Sequence, residues 1–233
     1  MPTISAVSVI DFKDKVSQEI VKSTSQELFA PSFPHIERYL EIFDNTDIKT
    51  RNFCLPLDRF PGLTSFEARN AEYVRIALEY SIKAIEDSIQ KAGIQKEDIS
   101  DMIFISSTGL ATPSLDALII NKMRLNQNIN RTPVFGLGCA GGVSGMAKAN
   151  IAATANPNAV VLLVAVELCS LTFLKNDYSK SNFVASSLFS DGVAASIIKG
   201  DKFEKSSESI SIKTSESKLY YDSLDVMGWD FLD

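Results

Sequence analysis

Val134-Phe135-Gly136-Leu137-Gly138-Cys139-Ala140-Gly141-Gly142-Val143-Ser144-Gly145 is the stretch from which the rest of the chain is read. The apolar run Pro133 to Leu137 has strand character and ends in Gly138-Cys139. A glycine-rich turn follows, then an apolar helical run to Ala155. This order sets one cysteine at the mouth of a strand-turn-helix. A helix N-terminus carries free N–H groups and roughly half a positive charge, and both favour a thiolate over a thiol. Small residues on each side of Cys139 leave room for a bulky acyl group. Cys139 is therefore a candidate acyl-carrying nucleophile. The same residues also fit a small buried cysteine in a tight turn.

The bulk properties narrow the field. With 233 residues and 45% hydrophobic content, the chain can build one good core or one half of a larger two-part fold. The net charge of −6 and a pI near 5.0, with no basic run and no lysine–aromatic stripe, argue against nucleic-acid binding. Cys54, Cys139 and Cys169 show no CxxC spacing. Without a signal peptide they point to a reducing cytoplasm rather than a disulfide framework. Asp11, Lys13, Asp14 and Lys15 interrupt any N-terminal apolar region. The apolar run Ala159 to Val166 is too short to span a membrane.

The remaining segments alternate between strand and helix patterns. Thr3 to Ile10 reads as a strand, Ser17 to Leu28 as a short helix, and His35 to Phe43 as an amphipathic helix with Ile36, Tyr39, Leu40 and Phe43 on one face. Lys49 to Leu57 is extended. Thr64 with Glu67 three residues on predicts a capping box, opening a scaffold helix to Ala92 that Gly93 ends. Its predicted buried face carries Phe66, Tyr73, Ala77, Tyr80, Ala84 and Ile85. Met102 to Ser106 is a short strand, and Ser114 caps a following helix. The helix after Cys139 is apolar nearly all round and is expected to be buried. Ala159 to Val166 suits a central strand buried on both faces. Asn182 to Ser187 is a short helix, Gly192 to Ile198 a small-residue strand, and Ser206 to Lys213 an outer strand. Strands alternating with helices predict a layered α/β fold.

Four motifs then occur in a telling order: Gly138-Cys139-Ala140-Gly141-Gly142, Glu167-Leu168-Cys169-Ser170-Leu171-Thr172-Phe173, Leu188-Phe189-Ser190-Asp191-Gly192, and Met227-Gly228-Trp229-Asp230. Together they resemble the N-terminal half of a type III polyketide synthase, the chalcone/stilbene synthase family of the thiolase superfamily, in its bacterial form. The resemblance implies a thiolase-like layered αβαβα fold of which residues 1–233 are the N-terminal domain only, and a homodimer. It implies acyltransferase chemistry: an acyl-CoA starter loads onto the cysteine, and malonyl-CoA decarboxylates and condenses with it in a Claisen reaction. CoA thioesters are substrates; no metal and no tightly held cofactor are implied.

Carried over residue by residue, Cys139 matches the nucleophile and Phe189 the aromatic gatekeeper, although Phe189 read alone would be a core residue. Thr112 matches a position that reaches the partner's cavity. Ser107, Cys169 and Thr172 match cavity-lining positions. Arg38 fits one CoA-phosphate position, but the next two expected basic positions hold Glu41 and Asn45, so Lys49 and Arg51 would have to compensate. Glu167 is expected to meet a polar group at a strand end.

One departure matters most. The catalytic His and Asn of the family lie in its C-terminal half, and the only histidine here is His35, on an exposed helix start. A nucleophile without its partner base is expected to lose several orders of magnitude in rate. The chain is thus expected to be a fragment, a truncated product or one piece of a longer protein, inactive alone and exposing an apolar face. Two other readings remain open: a ketoacyl synthase III-like fatty-acid condensing enzyme of the same superfamily, and a non-catalytic thiolase-fold subunit.

Overall fold

The computed structural model describes residues 1–204 and 209–228. Trp229 and Asp230 of the last motif lie outside the described residues, as do Ser206 and its neighbours at the start of the expected outer strand.

Eight strands and six helices form, among the described residues, in the order β1 (Thr3–Val9), β2 (Asp14–Ser17), α1 (Gln18–Phe29), α2 (Glu37–Asn45), β3 (Thr50–Phe53), α3 (Phe66–Ala92), β4 (Asp101–Ile105), α4 (Leu115–Met123), β5 (Asn130–Val134), α5 (Gly141–Ala155), β6 (Val160–Glu167), α6 (Lys180–Leu188), β7 (Gly192–Lys199) and β8 (Ile210–Ser211). The main sheet runs β5-β4-β6-β7-β1-β8, and β2 pairs separately with β3. Strands β5, β4 and β6 are mutually parallel; β7, β1 and β8 continue the sheet antiparallel.

The hand of the crossovers decides which face each helix covers. The chain steps one way from β4 to β5 and back across β4 to reach β6. Connections of one hand then put α4 and α5 on opposite faces. The side chains agree with this. Met102, Phe104, Leu162 and Val164 pack into a core with Tyr73, Ala77, Ala84 and Ile85 of α3 and Leu115 and Ile119 of α4. Their alternates Ile103, Ile105, Val161 and Leu163 pack with Ala149 and Ala153 of α5. Strand β6 is thus buried on both faces, as its unbroken apolar run predicts. A third cluster, Phe29, Phe33, Phe43 and Phe183 with Ile36 and Leu40, joins α1, α2 and α6 into a helical cap. The Phe183 ring meets Phe29 edge-on at 5.2 Å, a geometry that adds about 0.5–1.5 kcal/mol to simple burial.

Several expectations are corrected. The first strand of the Cys139 stretch is Asn130–Val134, not Pro133 to Leu137. It is an edge strand exposed over most of its length, where Pro133 withdraws no ladder donor the sheet needs. The N-cap of α3 is Ser65, whose hydroxyl accepts from the Ala68 N–H at 3.1 Å, rather than Thr64. Gly93 does end α3, with φ of +62°. Phe66 is exposed, because it precedes the turn at which α3 meets the sheet. Ser114 is the N-cap of α4, but its hydroxyl accepts from Arg131 Nη2 instead of the helix backbone. Helix α5 is buried on one face only: Val143 is 79% and Ile151 65% exposed.

Candidate active site

The loops that leave the C-terminal ends of parallel β4, β5 and β6 emerge along one edge of the sheet. That edge is where α/β sheets bind ligands. Strand β7 starts there too, since Gly192 pairs with Glu167 at the end of β6. The topology therefore gathers Ser107 after β4, Cys139 after β5, Cys169 and Thr172 after β6, and Phe189 before β7. These are five of the residues the motifs single out. Arg38 and Lys49 lie exposed on the helical cap and before β3, and the Lys49 ammonium pairs with Asp47 at 2.7 Å. Thr112 is exposed on the β4–α4 loop, preceding Pro113 through a cis peptide bond.

Cys139 sits in a single 3-10 turn, Gly138–Ala140, directly before α5. The turn needs glycine at Gly138, whose φ is +49°, a region that costs other residues roughly 1–2 kcal/mol. The approach of α5 to β4 needs small residues as well. A Cβ on Gly141 would lie 2.5 Å from Cγ2 of Ile105. The thiol is exposed and has no hydrogen-bond partner among the described residues. The alternative of a buried core cysteine is thereby excluded for Cys139.

The other two thiols sit differently. Burial and the neighbouring Asp191 push the Cys54 thiol up, and burial, Asp191 and Glu167 push Cys169 up to about 12. Both are held as thiols, the unreactive form.

A polar frame fixes the Cys139 turn. The Gly138 N–H donates to Ser107 Oγ at 3.1 Å. The Ser107 N–H donates to both carboxylate oxygens of Glu167, at 3.0 and 3.1 Å. Burial raises the Glu167 carboxyl above its usual range, against the pull of those donors. Tyr73 of α3 donates to Ser106 Oγ at 2.6 Å, and the Leu168 N–H donates to Thr108 Oγ1 at 2.9 Å. Thr172 Oγ1 donates to the Cys169 carbonyl at 2.8 Å, closing the short turn that carries both.

Asp191 is a second anchor, to which the Leu188-to-Gly192 motif by itself assigns no role. Its Oδ2 accepts from the Cys54 N–H at 2.6 Å and the Ser170 hydroxyl at 2.5 Å, and its Oδ1 from the Ser170 N–H at 2.8 Å. Burial pushes this carboxyl up while the donors pull it down. An Asp-Gly pair at a strand start was the available signal. Arg51 is also not where a CoA-phosphate ligand would be. It is 1% exposed, and its guanidinium donates to the carbonyls of Ser186 and Phe189.

The profile of the family described as chalcone and stilbene synthases, N-terminal domain, matches residues 14–202. The chain belongs to the chalcone and stilbene synthase family. A Bacillus subtilis (strain 168) protein named for chalcone synthase is 38% identical over 227 residues, 94% of this chain and 62% of that protein. The 1,3,6,8-tetrahydroxynaphthalene synthase of Streptomyces peucetius subsp. caesius is 35% identical over 183 residues, 78% of this chain and 48% of that enzyme. The crystal structure of 1,3,6,8-tetrahydroxynaphthalene synthase from Streptomyces coelicolor, a bacterial type III polyketide synthase, superposes with a TM-score of 0.81 at 30% identity over 85% of this chain and 57% of that one. The chain thus spans between 48% and 62% of the length of these curated relatives. Its mixed α/β architecture is that of the N-terminal part of the type III polyketide synthases, the thiolase-like fold. These likenesses do not favour the fatty-acid condensing reading. Among the described residues no helix is long and apolar enough to cross a membrane.

Proposed function

We propose that residues 1–233 form the N-terminal, nucleophile-bearing domain of a type III polyketide synthase. The observation that carries this reading is the exposed Cys139 on a glycine turn, braced by Ser107 and Glu167, in a chain of this family. The Cys139 thiolate attacks the carbonyl of an acyl-CoA and expels CoA as its thiolate, leaving an acyl-thioester on Sγ. Malonyl-CoA then loses CO2, and the resulting enolate attacks that thioester. A C–C bond forms, Sγ departs as thiolate, and a β-ketoacyl-CoA is released or reloaded. Backbone N–H groups at the start of α5 are suited to stabilise the oxyanion. Half-buried Phe189 shields the enolate-forming malonyl group from water. Ser107, Cys169 and Thr172 line the cavity, Thr112 reaches the partner of a homodimer, and Arg38 with Lys49 meets CoA phosphate. The setting is cytoplasmic, and CoA thioesters suffice without a metal or bound cofactor.

His35 is the one histidine of the 233 residues and is exposed at the entry to α2. The imidazole and amide that assist Cys139 are proposed to lie outside these residues. The 233-residue chain alone is then orders of magnitude slower than the whole enzyme.

Intact-mass detection of an acyl group after incubation with acyl-CoA tests the reading. The adduct is expected on Cys139 and absent from Cys139→Ala; loading that survives this substitution removes Cys139 from its role. The native mass in the source organism tests the domain assignment, with a value well above 25.5 kDa expected.

A further inference from the structure

Arg51 is a buried cation with no acidic partner among the described residues. Its charge is met instead by the negative end of a helix dipole. Nη2 donates to the Ser186 carbonyl at 3.1 Å and Nη1 to the Phe189 carbonyl, the last turn and C-cap of α6. Its Nε has no partner among the described residues. Burying an arginine this way is costly, so what it holds matters. The residues beside it extend the grip. The Asn52 N–H donates to Ser190 Oγ at 2.8 Å, the Asp191 N–H to the Asn52 carbonyl at 3.1 Å, and the Cys54 N–H to Asp191 Oδ2 at 2.6 Å. Phe189 therefore sits between two clamps that both start from β3 and its continuation.

We infer that Arg51 is the positioning residue of Phe189, and not a CoA-phosphate ligand: it fixes the backbone from which the aromatic ring projects. A planar fork with two donors aimed at two carbonyls sets direction as well as distance, which a lysine ammonium would not. This rests on the reading of Phe189 as the aromatic gatekeeper.

The test places 4-fluorophenylalanine at position 189 of the protein as its source organism makes it, and compares Arg51→Gln and Arg51→Lys with the parent. Transfer is measured in parallel with malonyl-CoA and with a malonyl N-acetylcysteamine thioester, which lacks phosphates. The expected result is a shifted or split fluorine resonance in Arg51→Gln. Transfer from both thioesters should fall by the same factor, about tenfold to a hundredfold. That loss should lie in kcat with KM unchanged, and Phe189→Leu should add little to it. Arg51→Lys should be intermediate, and it carries the same comparison if Arg51→Gln does not fold. A loss confined to malonyl-CoA and seen in KM makes Arg51 a phosphate ligand and overturns the inference. An unmoved fluorine resonance in both variants overturns it too. If the resonance shifts but Phe189→Leu leaves transfer intact, the positioning role stands and the gatekeeper reading of Phe189 falls.

Discussion

Ser107 Oγ accepts the backbone N–H of Gly138 at 3.1 Å, one residue before Cys139, while the Ser107 N–H is shared between the two oxygens of Glu167. The end of β6 thus holds the end of β4, which holds the turn that follows β5. Three loops from parallel strands become one rigid edge, and the cysteine's position is inherited from the sheet.

Removing that link has a defined cost. Ser107→Ala leaves the Gly138 N–H without its acceptor and is expected to lower stability by about 1 kcal/mol, read as a reduced Tm. It should also change the alkylation rate of Cys139, whereas Ser107→Thr keeps both near the parent values. An unchanged Tm and alkylation rate in Ser107→Ala would show that the turn holds itself.

The three thiols should separate under a thiol reagent. Iodoacetamide at mildly alkaline pH is expected to modify Cys139 first, because it alone is exposed. Cys169, pushed up to about 12, and Cys54, pushed up by burial, should react only after unfolding. Peptide mass spectrometry of a time course reads this directly; early labelling of Cys54 would contradict the buried site seen for it.

Glu167 and Asp191 give a pH dependence with a fixed sign. Burial raises both above their usual values of 4.5 and 3.8 in the fold. Between the unfolded and folded values the native state then binds more protons than the unfolded state, so stability falls as pH rises through that window. The contribution is fully present below the unfolded values and lost above the folded ones. Measured by urea unfolding, the parent should gain stability relative to Glu167→Gln as pH is lowered from about 8 to about 4. A difference that stays flat with pH would remove burial as the cause.

Neighbouring glycines at the start of α5 should respond oppositely. Gly141→Ala drives a Cβ to 2.5 Å from Cγ2 of Ile105, an overpacking expected to cost about 1–3 kcal/mol. Gly142→Ala meets nothing within 4 Å and should be neutral or stabilising by up to about 1 kcal/mol through helix propensity. Thermal unfolding of the two variants checks the pair; equal effects would mean that α5 does not approach β4 so closely.

Local chemistry determined much of this protein from its sequence. The length and ending of α3 follow from its periodicity and from Gly93. The burial of β6 follows from seven unbroken apolar residues, Val160 to Val166, between a turn and Glu167. The glycines around Cys139 mark a turn in the sequence itself, because backbone preference and apolar patterning act over a few residues.

The tertiary structure alone decided the rest. Val134 to Leu137 is apolar enough for a strand, yet β5 ends at Val134, since the sheet partner β4 ends opposite it at Ile105. Arg51 reads as a surface cation until α6 delivers two carbonyls to it from 135 and 138 residues away. Val143 and Ile151 read as buried, but helix α5 has a sheet on only one side among the described residues. Pairing, long-range hydrogen bonding and burial depend on what the rest of the chain brings alongside, and no local pattern carries that information.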